Sequence, residues 1–188
     1  MGKLPLTVLL MLSLLWGLHP PGSSALRSEA GAVAAPASEE LIQVTIATGG
    51  GLHEPVKSQF KVGEDIPVVI SMTNTGDKPA QYCLSTTVIQ NRPQLERDGQ
   101  LLPYLTNLPE RVDTENAVER CERSAFTKSY ELQPKQKKIV DWITLGQRGV
   151  VWYEALSPGH YELVLMRRLE CCRGALVKSN RVAFDIVP

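Results

Sequence analysis

The chain has 188 residues, with 20 basic and 20 acidic side chains, 4 Cys, 3 His and 13 Pro. That length sets a prior of one domain. A formal charge of zero leaves no basic surplus to neutralise phosphates, which argues against nucleic acid as a main partner.

The first 25 residues have the layout of a secretory signal peptide. Lys3 supplies a short positive segment, and Leu6 to Leu18 is apolar apart from Thr7, Ser13 and Gly17. Pro20, Pro21 and Gly22 break any helix, and Ser23-Ser24-Ala25 offers small residues for cleavage, with Ala34 as the alternative point. The apolar run is shorter than the roughly 18 residues a spanning helix needs. Removing residues 1–25 leaves 163 residues with 19 basic and 20 acidic groups, two His and all four Cys. The expected product is secreted or periplasmic, with no transmembrane segment after cleavage. Residues 26–40, rich in Ala, Ser, Pro and Glu, read as a flexible linker. Residues 41–188 read as the folded domain.

From there the apolar period is two. Ile42, Val44 and Ile46 alternate with Gln43, Thr45 and Ala47, predicting a half-buried strand that the Gly49-Gly50-Gly51 run ends. Ile66, Val68, Ile70 and Met72 share one face of a second strand, and Asn74-Thr75-Gly76-Asp77 supplies its turn. Tyr82 to Gln90 is apolar and β-branched, predicting a third. Asp98-Gly99 between Leu95 and Leu101 is a hairpin signal, because both central residues of a type I′ turn need positive φ. In the irregular stretch that follows, Asp113 or Thr114 caps a short helix running towards Cys121. Strands are expected at Ala125 to Leu132, Lys138 to Thr144, Val150 to Tyr153, Tyr161 to Leu169 and Arg181 to Val187. Arg167-Arg168 interrupts the apolar run of its strand, as if leaving the core. Seven to nine short strands without a long helical period predict an all-β, antiparallel β-sandwich.

Three segments carry a resemblance. They are Phe60-Lys-Val-Gly-Glu-Asp-Ile-Pro-Val-Val-Ile-Ser-Met-Thr-Asn74, Leu156-Ser-Pro-Gly-His-Tyr161, and Val177-Lys-Ser-Asn-Arg-Val-Ala-Phe184. Together they resemble immunoglobulin-like domains of exported bacterial proteins, in an order similar to that of the bacterial intracellular proteinase inhibitor family. The resemblance covers about residues 41–187. It implies an immunoglobulin-like sandwich and raises protease inhibition as an alternative function. It also puts Tyr161 where a tyrosine corner would send its hydroxyl to upstream backbone. Leu163 stands two residues after Tyr161 where antibody domains carry a Cys, so their inter-sheet disulfide is not expected.

Four Cys in an exported chain imply two disulfides. Cys83, Cys121, Cys171 and Cys172 allow three pairings, which the sequence leaves open. Adjacent strand residues point to opposite faces, which suits crossed pairing of Cys171 and Cys172 to the other two; in a loop the adjacent pair becomes possible. A thiol/disulfide redox role is a second alternative, since Arg167, Arg168 and Arg173 would lower a nearby thiol pKa. Zinc sites space their cysteines two to four apart, so metal binding is not expected.

His53 and His160 are isolated and lack H-E-x-x-H spacing; there is no G-x-S-x-G elbow, P-loop or Rossmann fingerprint. No catalytic residue, cofactor or metal ligand is therefore assigned. Lys135, Lys137 and Lys138 read as a charged turn or edge strand. Trp142, Trp152 and Tyr153 suit core packing, with a carbohydrate- or peptide-binding face as the other reading. The expected function is a non-enzymatic binding module for a protein or a cell-surface component. Its contacts are expected from the 94–124 insert and from Trp152 and Tyr153.

Overall fold

The computed structural model describes residues 41–50, 55–105, 114–146 and 150–188. The expected signal peptide (1–25), the linker (26–40), His53 and part of the 94–124 insert lie outside the described residues.

Strands β1 (Ile42–Thr48), β3 (Ile66–Asn74) and β8 (Lys137–Leu145) form one antiparallel sheet in the order β1-β3-β8. Strands β2 (Gln59–Lys61), β5 (Asn91–Arg97), β6 (Gln100–Leu101), β9 (Gly159–Arg168) and β10 (Leu176–Val187) form a second, in the order β2-β10-β9-β5-β6. Its pairs are antiparallel except β2 with β10. Strands β4 (Ala80–Leu84) and β7 (Lys128–Leu132) pair antiparallel with each other. The described chain is predominantly β, with two short helices, α1 (Thr87–Gln90) and α2 (Glu115–Glu122).

The period of two explains the core. Val44, Ile46, Val68, Ile70, Met72 and Ile143 from the first sheet are buried in one cluster with Leu95, Leu163, Leu165 and Phe184 from the second. Each such side chain stabilises by about 1.5–3 kcal/mol when fully buried. Tyr161 stacks on Phe184 with ring centroids 5.5 Å apart, and Phe60 meets Phe184 edge-on at 5.8 Å.

A bulge in β10 joins the sheets. It falls between Lys178 and Arg181 and turns Asn180 towards β1. The Asn180 amide accepts from Ile46 N at 2.7 Å and donates to Ile46 O at 3.1 Å. This side-chain amide occupies a stretch of β1 edge that would otherwise lack a partner.

Local signals are realised at a turn and at a helix cap. Asp98 and Gly99 take φ of 52° and 77° between β5 and β6, the mirror-image turn that a tight hairpin needs. Thr114 caps α2, accepting from Ala117 N at 3.3 Å.

Three expectations need correction. The strand expected over Tyr82 to Gln90 ends at Leu84, and a single helical turn follows. There the Gln90 side chain takes the place of a neighbouring strand: it accepts from Ser85 N and donates to Cys83 O. Val150 to Tyr153 forms no strand; Leu105 N reaches Trp152 O at 2.8 Å across the irregular segment. Arg167 does not leave the core. It follows Tyr161, Leu163 and Leu165 on the inward face of β9 and is fully buried.

The two sheets differ on their outward faces. On the five-stranded sheet Arg181 bridges Glu96 and Glu162, and His160 pairs with Asp185. On the three-stranded sheet the outward rows run Gln43-Thr73-Lys137, Thr45-Ser71-Ile139 and Ala47-Val69-Trp142, with Pro67-Thr144 beyond them. Lys137 is the one charge in those rows.

Candidate functional site

A concavity of about 300 Å³ opens where β9 begins and the β5–β6 hairpin returns. Arg97, Leu102, Tyr104, Tyr153, Leu156 and Tyr161 line it. A smaller cleft of about 100 Å³ lies beside Ile66, Leu145 and Ile186. Glu154, Ala155 and Leu156 line both and so form the ridge between them.

The walls are built by aromatic packing. Tyr104 stacks on Tyr153, with centroids 5.4 Å apart, and tilts against Trp152 at 6.0 Å. Tyr153 sends its hydroxyl inward, donating to Pro93 O and accepting from Leu95 N at 3.1 Å. Burial pushes its phenol far above the usual tyrosine range, and does the same more mildly to Tyr104.

Arg97 forms the polar side. Its guanidinium donates to Ser157 Oγ at 2.6 Å and to Pro158 O at 2.9 Å, and it lies 5.9 Å from the Tyr161 ring centroid. Gly159 permits this approach, because an added Cβ would sit 2.8 Å from Arg97 Nε. The Tyr161 hydroxyl donates to Ser157 O at 2.7 Å, so Arg97 and Tyr161 fasten the same turn. With these donors engaged, Arg97 acts as a wall rather than an anion receptor. The cleft therefore suits an apolar side chain, with Glu154 and Ser157 offering acceptors at its margin. Leu105, 45% exposed, extends the apolar wall outward.

Trp152 and Tyr153, expected as partner contacts, are instead buried as the core-packing reading has it, and of the two only Tyr153 lines the cleft. They are 2% and 6% exposed and belong to the shared core, because the segment folds beneath Leu105 rather than running along a sheet. Among the described residues Trp142 is the exposed indole, at 65%. Part of the 94–124 insert does reach the cleft, through Arg97 and Leu102 to Leu105.

The cysteines form two disulfides, Cys83–Cys171 and Cys121–Cys172, with Cα separations of 4.9 and 5.8 Å. Cys171 and Cys172 lie beyond the end of β9, yet bond to different partners. The second disulfide fastens α2, and Arg173 adds ion pairs to Glu115 and Glu122 from the next position. Cys121 also packs with Val118, Cys172 and Ile89 in a small satellite core.

Sequence reading missed a buried polar cluster. Arg167 donates to Asp141 Oδ2 at 2.9 Å and to Asn91 Oδ1 at 2.6 Å, and reaches Gln90 Oε1 at 3.4 Å. Arg167, Gln90 and Asn91 have no exposed surface. Burial lowers the Arg167 guanidinium pKa while Asp141 opposes the shift. The signal was present in the alternation: Asp141 precedes Ile143 by two positions and Arg167 follows Leu165 by two. Among the described residues, no group of three His, Cys, Asp or Glu side chains is placed to hold a metal, and no helix is long and apolar enough to cross a membrane.

No protein-family model and no curated protein matches the chain. Among solved structures it is similar to a β-glucosidase of Erythrobacter marinus, at 13% identity and TM-score 0.36, over 78% of this chain and 15% of that one. It is also similar to an alkylpurine DNA glycosylase of Pseudomonas fluorescens bound to DNA with an abasic-site analogue, at 8% identity and TM-score 0.36. That match covers 78% of this chain and 30% of the glycosylase. The chain thus spans well under half the length of either protein, and likeness at this level carries no argument about fold or activity.

Proposed function

We propose that the chain is a non-enzymatic binding module with an immunoglobulin-like sandwich fold, whose protein partner inserts an apolar side chain into the cleft beside Tyr104. The observation that carries this reading is the pre-formed cleft, aromatic at its base and extended by exposed Leu105. Partner anchors of this kind fill desolvated pockets surrounded by less critical contacts.

Three features support the immunoglobulin-like reading and its resemblance to the bacterial intracellular proteinase inhibitor family. The sheet orders β1-β3-β8 and β2-β10-β9-β5-β6 place eight strands in two sheets whose inward side chains share one core, with β4 and β7 paired apart from them. A short early strand, β2, pairs parallel with the last. The Tyr161 hydroxyl bonds backbone four residues upstream, as a tyrosine corner does. Two disulfides support a destination outside the reducing cytosol, secreted or periplasmic. All four cysteines are paired, which favours staples over the redox alternative.

The test is a photo-reactive residue at position 105 in the full chain. It is expected to cross-link a partner, and Tyr104→Ala is expected to abolish the adduct while unfolding stays cooperative. An adduct unaffected by Tyr104→Ala defeats the cleft as the site. Inhibition of a secreted protease at micromolar concentration would favour the inhibitor alternative instead.

A further inference from the structure

We infer that the outward face of the β1-β3-β8 sheet, centred on Trp142, binds a neutral polysaccharide. This site is separate from the cleft and lies on the sheet that contributes least to it.

Trp142 is 65% exposed in the middle of a strand, where an indole gains nothing from solvent. Its row continues across the sheet through Val69 and Ala47, and Ile139, 42% exposed, stands in the neighbouring row. Thr144 on one side and Thr45 on the other flank this strip, both half-buried, while Val69 and Ser71 between them are covered at 8% and 9% exposure. Such a surface matches a pyranose. The sugar's C–H face packs on the indole, while its hydroxyls find donors and acceptors in the Thr144 and Thr45 side chains and the indole N–H.

Charge and area select this occupant over others. Lys137, at one end, is the single charge in the outward rows, so a polyanion finds little attraction there. The contrast with the ion-paired outer face of the other sheet shows that the chain does place charge on an exposed sheet. Eleven outward positions at ordinary strand spacing and rise cover about 350 Å². A second copy or another protein needs roughly 800 Å² on each side for a standard interface. An oligosaccharide of a few rings fits the smaller area. Lys137 and Lys138 on the edge of β8 also discourage strand-to-strand addition.

The test is native gel electrophoresis of the full chain in gels containing hydroxyethyl cellulose, a β-1,3-glucan or mannan, with polygalacturonate and heparin as charged comparators. At least one neutral polymer is expected to retard the protein, and neither polyanion is. Trp142→Ala is expected to weaken retardation about tenfold or more, while Trp142→Phe keeps part of it. Both variants are expected to unfold at the wild-type temperature, since the side chain is mostly in solvent. The proposal is overturned if no neutral polymer retards the protein or if Trp142→Ala is retarded as strongly as wild type. A dimer in sedimentation that Trp142→Ala splits would overturn it in favour of self-association.

Discussion

Asp141 and Arg167 reach inward from strands in different sheets and meet at 2.9 Å. The Arg167 side chain is fully buried, and that of Asp141 is 20% exposed. A register shift in β8 between the partners of Ile70 and Ser71 sits directly beside Asp141. The pair therefore ties the edge strand of one sheet to an inner strand of the other.

Removing one partner leaves the other without compensation. Asp141→Leu is expected to destabilise by about 3–5 kcal/mol, since it leaves a buried guanidinium with only neutral acceptors. Asp141→Leu with Arg167→Met is expected to regain much of that loss, because the uncompensated charge goes too. Urea unfolding of the two singles and the double checks this. A double variant as unstable as the sum of the singles would mean the pair is not coupled.

The disulfide pattern predicts a peptide map. Digestion without reduction should yield one product in which the peptide holding Cys171 and Cys172 is bonded to the peptides of Cys83 and Cys121, and cleavage between residues 171 and 172 should resolve it into a Cys83–Cys171 and a Cys121–Cys172 product. The sequence separations of 88 and 51 residues correspond to about 4 kcal/mol of loop-closure stabilisation each in the chain-entropy account. Replacing Cys121 and Cys172 together by Ser should lower the thermal midpoint and loosen α2 first, read as faster amide exchange over Glu115–Glu122.

Two of the buried tyrosines, Tyr153 and Tyr161, should differ in the cost of losing their hydroxyls. Tyr153→Phe strands both Pro93 O and Leu95 N and is expected to cost about 2–3 kcal/mol. Tyr161→Phe removes one bond, to Ser157 O, and is expected to cost about 1 kcal/mol. Chemical denaturation of both variants gives the ranking; the reverse order would contradict the geometry.

His160 donates a pH dependence. Its pKa is raised above 6.5 in the folded chain, chiefly by the hydrogen bond to Asp185. A raised folded pKa means the contribution is complete below the unfolded value and is lost as pH rises through the folded one. Stability from this pair therefore declines as pH rises above about 6.5. Histidine NMR titration should place the His160 midpoint above the ordinary range, and Asp185→Asn should bring it down. An unchanged midpoint in that variant would rule out Asp185 as the cause.

The parts of this fold that were legible share one property: their cause is local. The β1, β3 and β10 alternations, the Asp98-Gly99 turn and the Thr114 cap each depend on residues a few positions apart. The strand break after Leu84 depends on Gln90 turning back to Cys83, which no β-propensity reports. The core-packing reading held for Trp152 and Tyr153 but not for Trp142, for a similar reason. Trp142 and Trp152 both stand in apolar surroundings along the chain, and only the crossing of residue 105 over residue 152 decides which is covered. Of the cleft, the insert's contribution was readable in outline. The fastening of Arg97 to the Ser157-Pro158 turn was not, because a side chain bonded to a turn sixty residues away leaves no pattern in sequence. The charged pair was readable in principle, since both members fall on apolar faces by the period of two.

The adjacency of Cys171 and Cys172 gives the chain a topology beyond that of two separate staples. The backbone from Cys83 to Cys121, closed through the two disulfides and the bond joining residues 171 and 172, is a covalent ring. Arg97 and Leu102 to Leu105 lie on that ring. A single protease cut anywhere between Cys83 and Cys121 opens the ring but releases no fragment. The wall of the cleft stays attached to the molecule on both sides of the nick.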